Sequence, residues 1–163
     1  MKNTGPPHQS KFKKPSPELT RFIENMGRYF ESYGIPRIGG RILGLLLIAH
    51  EPLSAQEIAR ILKASRASIS TNFRLLLTSG LAEKVTFPGD RTTYFAFPET
   101  AWEKAMSAEV QGIAAMRKIA QQGLEALSSA DSARDRMKGL INWADFLIEF
   151  YQSALVEWRK RTS

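Results

Sequence analysis

Residues 53–74 read LSAQEIARILKASRASISTNFR, and two helix starts are written into them. Ser54 and Glu57 form an S-x-x-E capping box, with Leu53 and Ile58 spaced as a hydrophobic staple. Ile58, Ala59, Ile61 and Leu62 sustain about two helical turns. Lys63-Ala64-Ser65 then interrupts, and Ser65 can cap a second helix running from Arg66 to about Ser79, with Gly80 as its terminator. Two short helices joined by a tight turn predict a helix-turn-helix.

The second helix has an unusual polar face. Ile69, Phe73, Leu76 and Leu77 supply the apolar contacts. Outward go Arg66, Ser68, Ser70, Thr71 and Arg74, small hydroxyl or cationic side chains where a solvated helix normally carries Glu and Lys. Phosphate would repel long acids from such a surface. Arg can reach guanine O6 and N7 in a bidentate contact, and Ser or Thr can bond to base edges or phosphates. The N–H groups of Arg66 and Ala67 at the helix start suit a phosphate oxygen. Asn72 has two readings, because it lies nearer the buried side: its amide can read an adenine or bond to backbone within the motif. Ser54 and Ser65, the hydroxyls at the two helix starts, complete the candidate DNA-contact set on these helices.

The flanking sequence extends the motif. Upstream, Ser16-Pro17-Glu18 starts a helix with Leu19, Phe22, Ile23, Met26, Phe30 and Tyr33 at helical spacing, and Gly34 closes it. Pro36 opens another, in which Ile38, Ile42, Leu45, Leu46 and Ala49 form a stripe, with Leu43, Leu47 and Ile48 making it apolar nearly all round. Downstream, residues 81–87 and 92–97 read as strands around Pro88-Gly89-Asp90-Arg91. The order predicts a mainly α protein, a winged helix-turn-helix with a two-stranded β wing. Lys84 and Arg91 on the wing join the candidate DNA contacts, with Asp90 expected to orient Arg91. A long helix follows Pro98-Glu99. In the last one, Met137, Ile141, Ala144, Ile148, Tyr151, Leu155 and Trp158 form a heptad seam that needs a partner helix.

Charge supports nucleic acid as the partner. The 163 residues carry 23 Lys and Arg against 16 Asp and Glu, a net charge of +7. The surplus sits in residues 1–15, read as a disordered basic tail with Lys2, Lys11, Lys13 and Lys14, and in the middle of the chain, whereas residues from Glu99 onward are balanced. No cysteine is present, which excludes disulfides and thiolate chemistry. The longest apolar run, 42–49, falls far short of the roughly 20 residues a bilayer span needs, and no signal peptide is evident, so a cytoplasmic protein without membrane contact is expected. The histidines are His8 and His50, and no catalytic triad, carboxylate pair, phosphate loop or zinc cluster stands out. The expectation is no enzyme, no metal and no cofactor. Winged helices also serve as protein-interaction or assembly modules, or bind RNA. Retention of Arg66, Arg74, Lys84 and Arg91 favours duplex DNA over both.

Gly39-Gly40-Arg41-Ile42, the Ser-x-x-Glu helix start, residues 68–74 (SISTNFR), and Gly89-Asp90-Arg91 followed by Tyr94-Phe95 together resemble the DNA-binding core of the MarR superfamily, and most closely its GbsR branch. The resemblance covers about residues 17–105. It implies a homodimer held by its terminal helices, here 16–35 and 99–163, flanking a DNA-binding domain at 36–98. It also implies a repressor that answers a small-molecule effector, choline or a related osmolyte precursor. A quaternary ammonium needs an aromatic cage, for which the candidates are Tyr29, Phe30 and Tyr33 on the first helix and Trp143, Phe146, Phe150 and Tyr151 on the last. Plain core or a subunit interface explains the same rings.

Overall fold

The computed structural model describes Phe12 and residues 14–162; apart from Phe12, Lys14 and Pro15, the expected tail lies outside the described residues. The chain forms two compact units, 1–101 and 102–163. The first contains α1 (Pro17–Ser32), α2 (Arg37–Ile48), β1 (Leu53–Ser54), α3 (Ala55–Leu62), α4 (Arg66–Thr78), β2 (Glu83–Val85) and β3 (Tyr94–Ala96). The second is built on α5 (Ala101–Ala126) and α6 (Ala133–Thr162). None of the described helices is long and apolar enough to cross a membrane.

Helix α2 is the centre of the first unit, with Ile42, Leu43 and Leu45 fully enclosed. Helix α1 lies against it through glycines. A Cβ at Gly40 would stand 2.6 Å from the Met26 carbonyl oxygen and 2.9 Å from Gly27 Cα. Both obstacles are backbone, so neither can rotate away. Gly40→Ala is therefore expected to push the two helices apart at a cost of about 1–3 kcal/mol, read as a lower urea midpoint at unchanged slope; a midpoint equal to wild type would show that the helices can separate freely.

The expected two-stranded wing is present as the β2–β3 hairpin, with shorter strands than expected and a third strand added to its sheet. Three strands pair antiparallel in the order β1-β3-β2. The added strand is Leu53–Ser54, whose residues face Phe95 and Tyr94, while Glu83, Lys84 and Val85 face Ala96, Phe95 and Tyr94. Both expected strands are trimmed by turn chemistry. The N–H groups of Leu81 and Ala82 both donate to the Leu76 carbonyl, which holds them to the end of α4. The Thr92 N–H donates to Asp90 Oδ1 at 2.8 Å, which keeps it in the turn.

In the second unit α5 and α6 run antiparallel. Glu103 pairs with Arg159, Arg117 with Asp145, and the Gly123 position lies beside Met137. The heptad seam is turned inward: Ile141, Ala144 and Leu155 are buried, and Met137, Ile148, Tyr151 and Trp158 half-buried. The seam's partner is thus α5 of the same chain. Trp143, Phe146 and Phe150 occupy another face of α6 and remain exposed, as does Val156 elsewhere on the helix.

Candidate nucleic-acid interface

Local capping sets the geometry of the helix-turn-helix. The Ser54 hydroxyl accepts from the Glu57 N–H at 3.2 Å, and Glu57 Oε2 accepts from the Ser54 N–H at 2.8 Å. At the other end α3 closes on Lys63, which adopts the left-handed region at φ 50. The Ala64 N–H reaches back to the Ala59 carbonyl, and Arg41 Nη2 donates to the Leu62 carbonyl at 2.9 Å. The last carbonyls of a helix lack partners within it, so Arg41 fixes the turn from α2. Ser65 then caps α4 by accepting from the Ser68 N–H at 3.1 Å.

Helix α4 buries Ile69, Asn72, Phe73 and Leu76 along one stripe. Phe73 stacks on Phe95 of the sheet, with ring centroids 3.7 Å apart and planes 14° from parallel. This fixes the rotation of α4 and leaves Arg66, Ser70, Thr71 and Arg74 exposed, with Ser68 half-buried and Ser65 exposed at the cap. Lys84 and Arg91 are also exposed. Among the described residues Arg66, Arg74, Lys84 and Arg91 form no ion pair.

Two candidates leave the set. Asn72 is 5 % exposed and its Nδ2 donates to the Ser68 carbonyl at 2.9 Å, which takes the backbone-bonding reading. Its Oδ1 faces Gly39, where a Cβ would lie 3.0 Å away, so it cannot read a base. Ser54 is 8 % exposed, and its hydroxyl also donates to Glu57 Oε2 at 2.7 Å. The cap and the strand use it up.

On the wing, Asp90, expected to orient Arg91, organises the turn itself through partners not foreseen. Gly89, at φ 81, makes the tight turn, and the Asp90 N–H donates to the Phe87 carbonyl. The Asp90 carboxylate accepts from Thr92 and, at 2.7 Å, from the Tyr94 hydroxyl. Asp90 thereby fixes both flanks of the turn that carries Arg91. An Asp directly after a turn glycine and a Tyr four residues on were the available signal for the Tyr94 bond; for the Arg41 clamp it was a cation set within the apolar stretch of α2. Burial, and then the hydrogen bond to Asp90, hold the Tyr94 phenol above its ordinary pKa. The neutral form is the one favoured in the fold, so its stabilisation is complete below the unfolded value near 10 and is lost as pH rises through the higher folded value. Tyr94→Phe is expected to cost about 0.5–1.5 kcal/mol at neutral pH and to remove this alkaline loss. Unfolding curves at pH 8 and pH 11 check it; an equal alkaline loss in the variant would assign the effect elsewhere.

The rings proposed for a cage fall on the two units. Tyr29 contacts Phe30 and Tyr33 along α1, with centroids 5.3 and 5.0 Å apart. On α6, Phe150 contacts Phe146 and Tyr151 at 6.4 and 5.8 Å, and Trp143 lies exposed on the same helix. Within each unit the rings form a row on one helix.

Known proteins agree with this architecture. A profile described as "MarR family" matches residues 33–91, and one described as "MmpR5-like MarR family transcriptional regulator" matches residues 100–161. The HTH-type transcriptional regulator MmpR5 of Mycobacterium tuberculosis is 35 % identical over 151 residues, covering 90 % of each chain. The chain belongs to the MarR family. It is thus a DNA-binding transcriptional regulator and not an enzyme. A solved structure titled as a transcriptional regulator superposes with a TM-score of 0.82 at 34 % identity, covering 88 % of this chain and 99 % of that one. A more distant relative, the HTH-type transcriptional repressor OpcR of Bacillus subtilis, is 22 % identical over 152 residues, covering 80 % of this chain and 82 % of the other.

Proposed function

We propose that this regulator is a cytoplasmic homodimeric repressor that sets α4 into the major groove and Arg91 into the adjacent minor groove or onto its phosphates. The observation carrying this reading is the outward row Arg66, Ser70, Thr71 and Arg74, rigidly backed by the Phe73–Phe95 stack. Ser65, Ser68, Lys84 and Arg91 complete the contact set. A two-fold dimer binds a pseudo-palindrome with half-sites about 34 Å apart, and repression follows from occluding polymerase. The repressor assignment draws support from OpcR.

The terminal helices supply the dimer contact in this reading. With α5 seated on the heptad seam, the surface left for the second subunit is the exposed row Trp143, Phe146 and Phe150, with Leu19, Phe22, Tyr29 and Tyr33 on α1. Placement in the GbsR branch, with a choline-like effector drawn to these rings, rests on the sequence resemblance and on the exposure of the rings. A duplex resists bending, so an effector that changes the separation of the two α4 helices would release it.

The test combines genomic fragment capture with sedimentation. The reading expects recovered sites with inverted half-sites about one helical turn apart, and a dimer that Trp143→Glu with Phe150→Glu converts to monomer. Recovered sites without symmetry, or a double variant that sediments as wild type, would overturn the corresponding part.

A further inference from the structure

Two arginines of α2 lie across a notch in α1. A Cβ at Gly27 would stand 2.7 Å from Arg41 Cγ and 3.1 Å from Arg37 Cγ. With no side chain there, both arginine stems rest against α1 and converge on Glu24, about one turn earlier in that helix. Arg37 Nη2 donates to Glu24 Oε2 at 2.8 Å, and Arg41 Nε lies 2.7 Å from Glu24 Oε1. Arg41 Nε is buried, so this contact is little screened by water and salt. Burial raises the Glu24 pKa, but the two arginines outweigh it and leave the carboxyl below its ordinary value.

Arg41 also reaches the far side of α2, where its Nη2 donates to the Leu62 carbonyl at the end of α3. A guanidinium is planar and rigid, so a partner that aims Nε also aims Nη2. Glu24 therefore sets where Arg41 holds Leu62. Beyond Leu62 the path to α4 has no slack: Lys63 is left-handed, the Ala64 N–H returns to the Ala59 carbonyl, and Ser65 caps α4. We propose that Glu24 and Arg41 are positioning residues for DNA recognition, a strut that ties the direction of α4 to α1 without either side chain meeting DNA. The hold on the turn stands on these contacts alone; its effect on DNA rests on the reading that α4 enters the groove. The sign of that effect separates the strut from a plain charge effect. Replacing Glu24 by Gln removes a negative charge, which by itself would tighten binding to any duplex. Loss of the strut loosens binding to the operator instead, because α4 no longer arrives pre-set.

The test uses the full chain, a duplex recovered by genomic fragment capture and a scrambled duplex of the same length. Glu24→Gln, shown to be folded by circular dichroism, is expected to speed amide hydrogen exchange about tenfold at Ala64 and Ser68. It should lose about tenfold of its affinity for the recovered duplex and keep or gain affinity for the scrambled one. Arg41→Gln should do the same, and the double variant no more than either, because Glu24 acts through Arg41. Where Arg41→Gln does not fold, Arg41→Lys takes its place, since an ammonium keeps the charge but cannot span both partners. Exchange at wild-type rates overturns the proposal whether or not a duplex is recovered. So does unchanged or tighter binding of the recovered duplex by Glu24→Gln, an equal loss on both duplexes, or losses that add in the double variant. Faster exchange with no duplex bound by the wild-type chain sinks the groove reading and leaves the hold on the turn standing.

Discussion

Replacing Arg66, Arg74 and Arg91 together by alanine is expected to abolish tight DNA binding while leaving the protein as stable as wild type. The stability half follows from exposure. All three side chains are exposed and make no ion pair among the described residues, and such surface changes usually stay within about 0.5 kcal/mol. The affinity half follows from what the groups can do. A base-reading arginine is worth about 1–3 kcal/mol of discrimination, and each phosphate neutralised adds about 0.9 to the slope of log affinity against log salt. If all three grip phosphate, the dimer loses both copies of each contact, the slope falls by about 5 and every sequence suffers alike. If Arg74 reads a base, the slope falls by about 4 and Arg74→Ala alone also narrows the gap between operator and random duplex. Fluorescence anisotropy at several salt concentrations separates the cases. A folded triple variant with the wild-type slope would show that DNA meets another face.

Phe73→Ala is the largest expected change in stability. The ring is 3 % exposed and stacked on Phe95, and truncating a buried Phe to Ala costs about 3–5 kcal/mol through lost transfer energy and the cavity left behind. Total stability of an ordinary domain is about 5–15 kcal/mol, so the first unit would stand near its threshold. DNA affinity should fall as well, because the stack is what holds α4 in rotation. Phe73→Leu keeps most of the volume and should recover most of both losses. Urea unfolding followed by circular dichroism gives the number; a loss under about 1 kcal/mol would mean that the sheet does not brace the helix.

Why some features could be read in advance and others could not is a matter of distance along the chain. The starts of α3 and α4 were legible because Ser54 with Glu57, and Ser65 with Ser68, act on partners three residues away. The inward turn of Asn72 was half legible, since it lies three residues after Ile69 and four before Leu76, both buried. Strand β1 was not legible: two residues have no period, and they become a strand only through Phe95 and Tyr94. Leu81 and Ala82 continued an apolar run into the expected strand, yet their N–H groups serve the end of α4, a competition that periodicity does not record. The heptad in α6 announced a partner correctly but could not say whose helix it was. The cationic face of α4 needed only the helical period and the identity of its anchors. That this face lies open among the described residues could be seen only in the fold.

Ser54 belongs to two structures at once, as a strand residue opposite Tyr94 and as the residue whose hydroxyl starts α3. The wing and the reading head are therefore spliced through a single position with no slack between them. Lengthening the chain there by one residue would flip the strand or uncap the helix, so natural insertions and engineered labels should be barred from 53–55. Gly89 is constrained for a different reason: open space surrounds it, yet its backbone at φ 81 strains any side chain placed there, and the adjoining Asp90 is tied to Tyr94, the residue opposite Ser54.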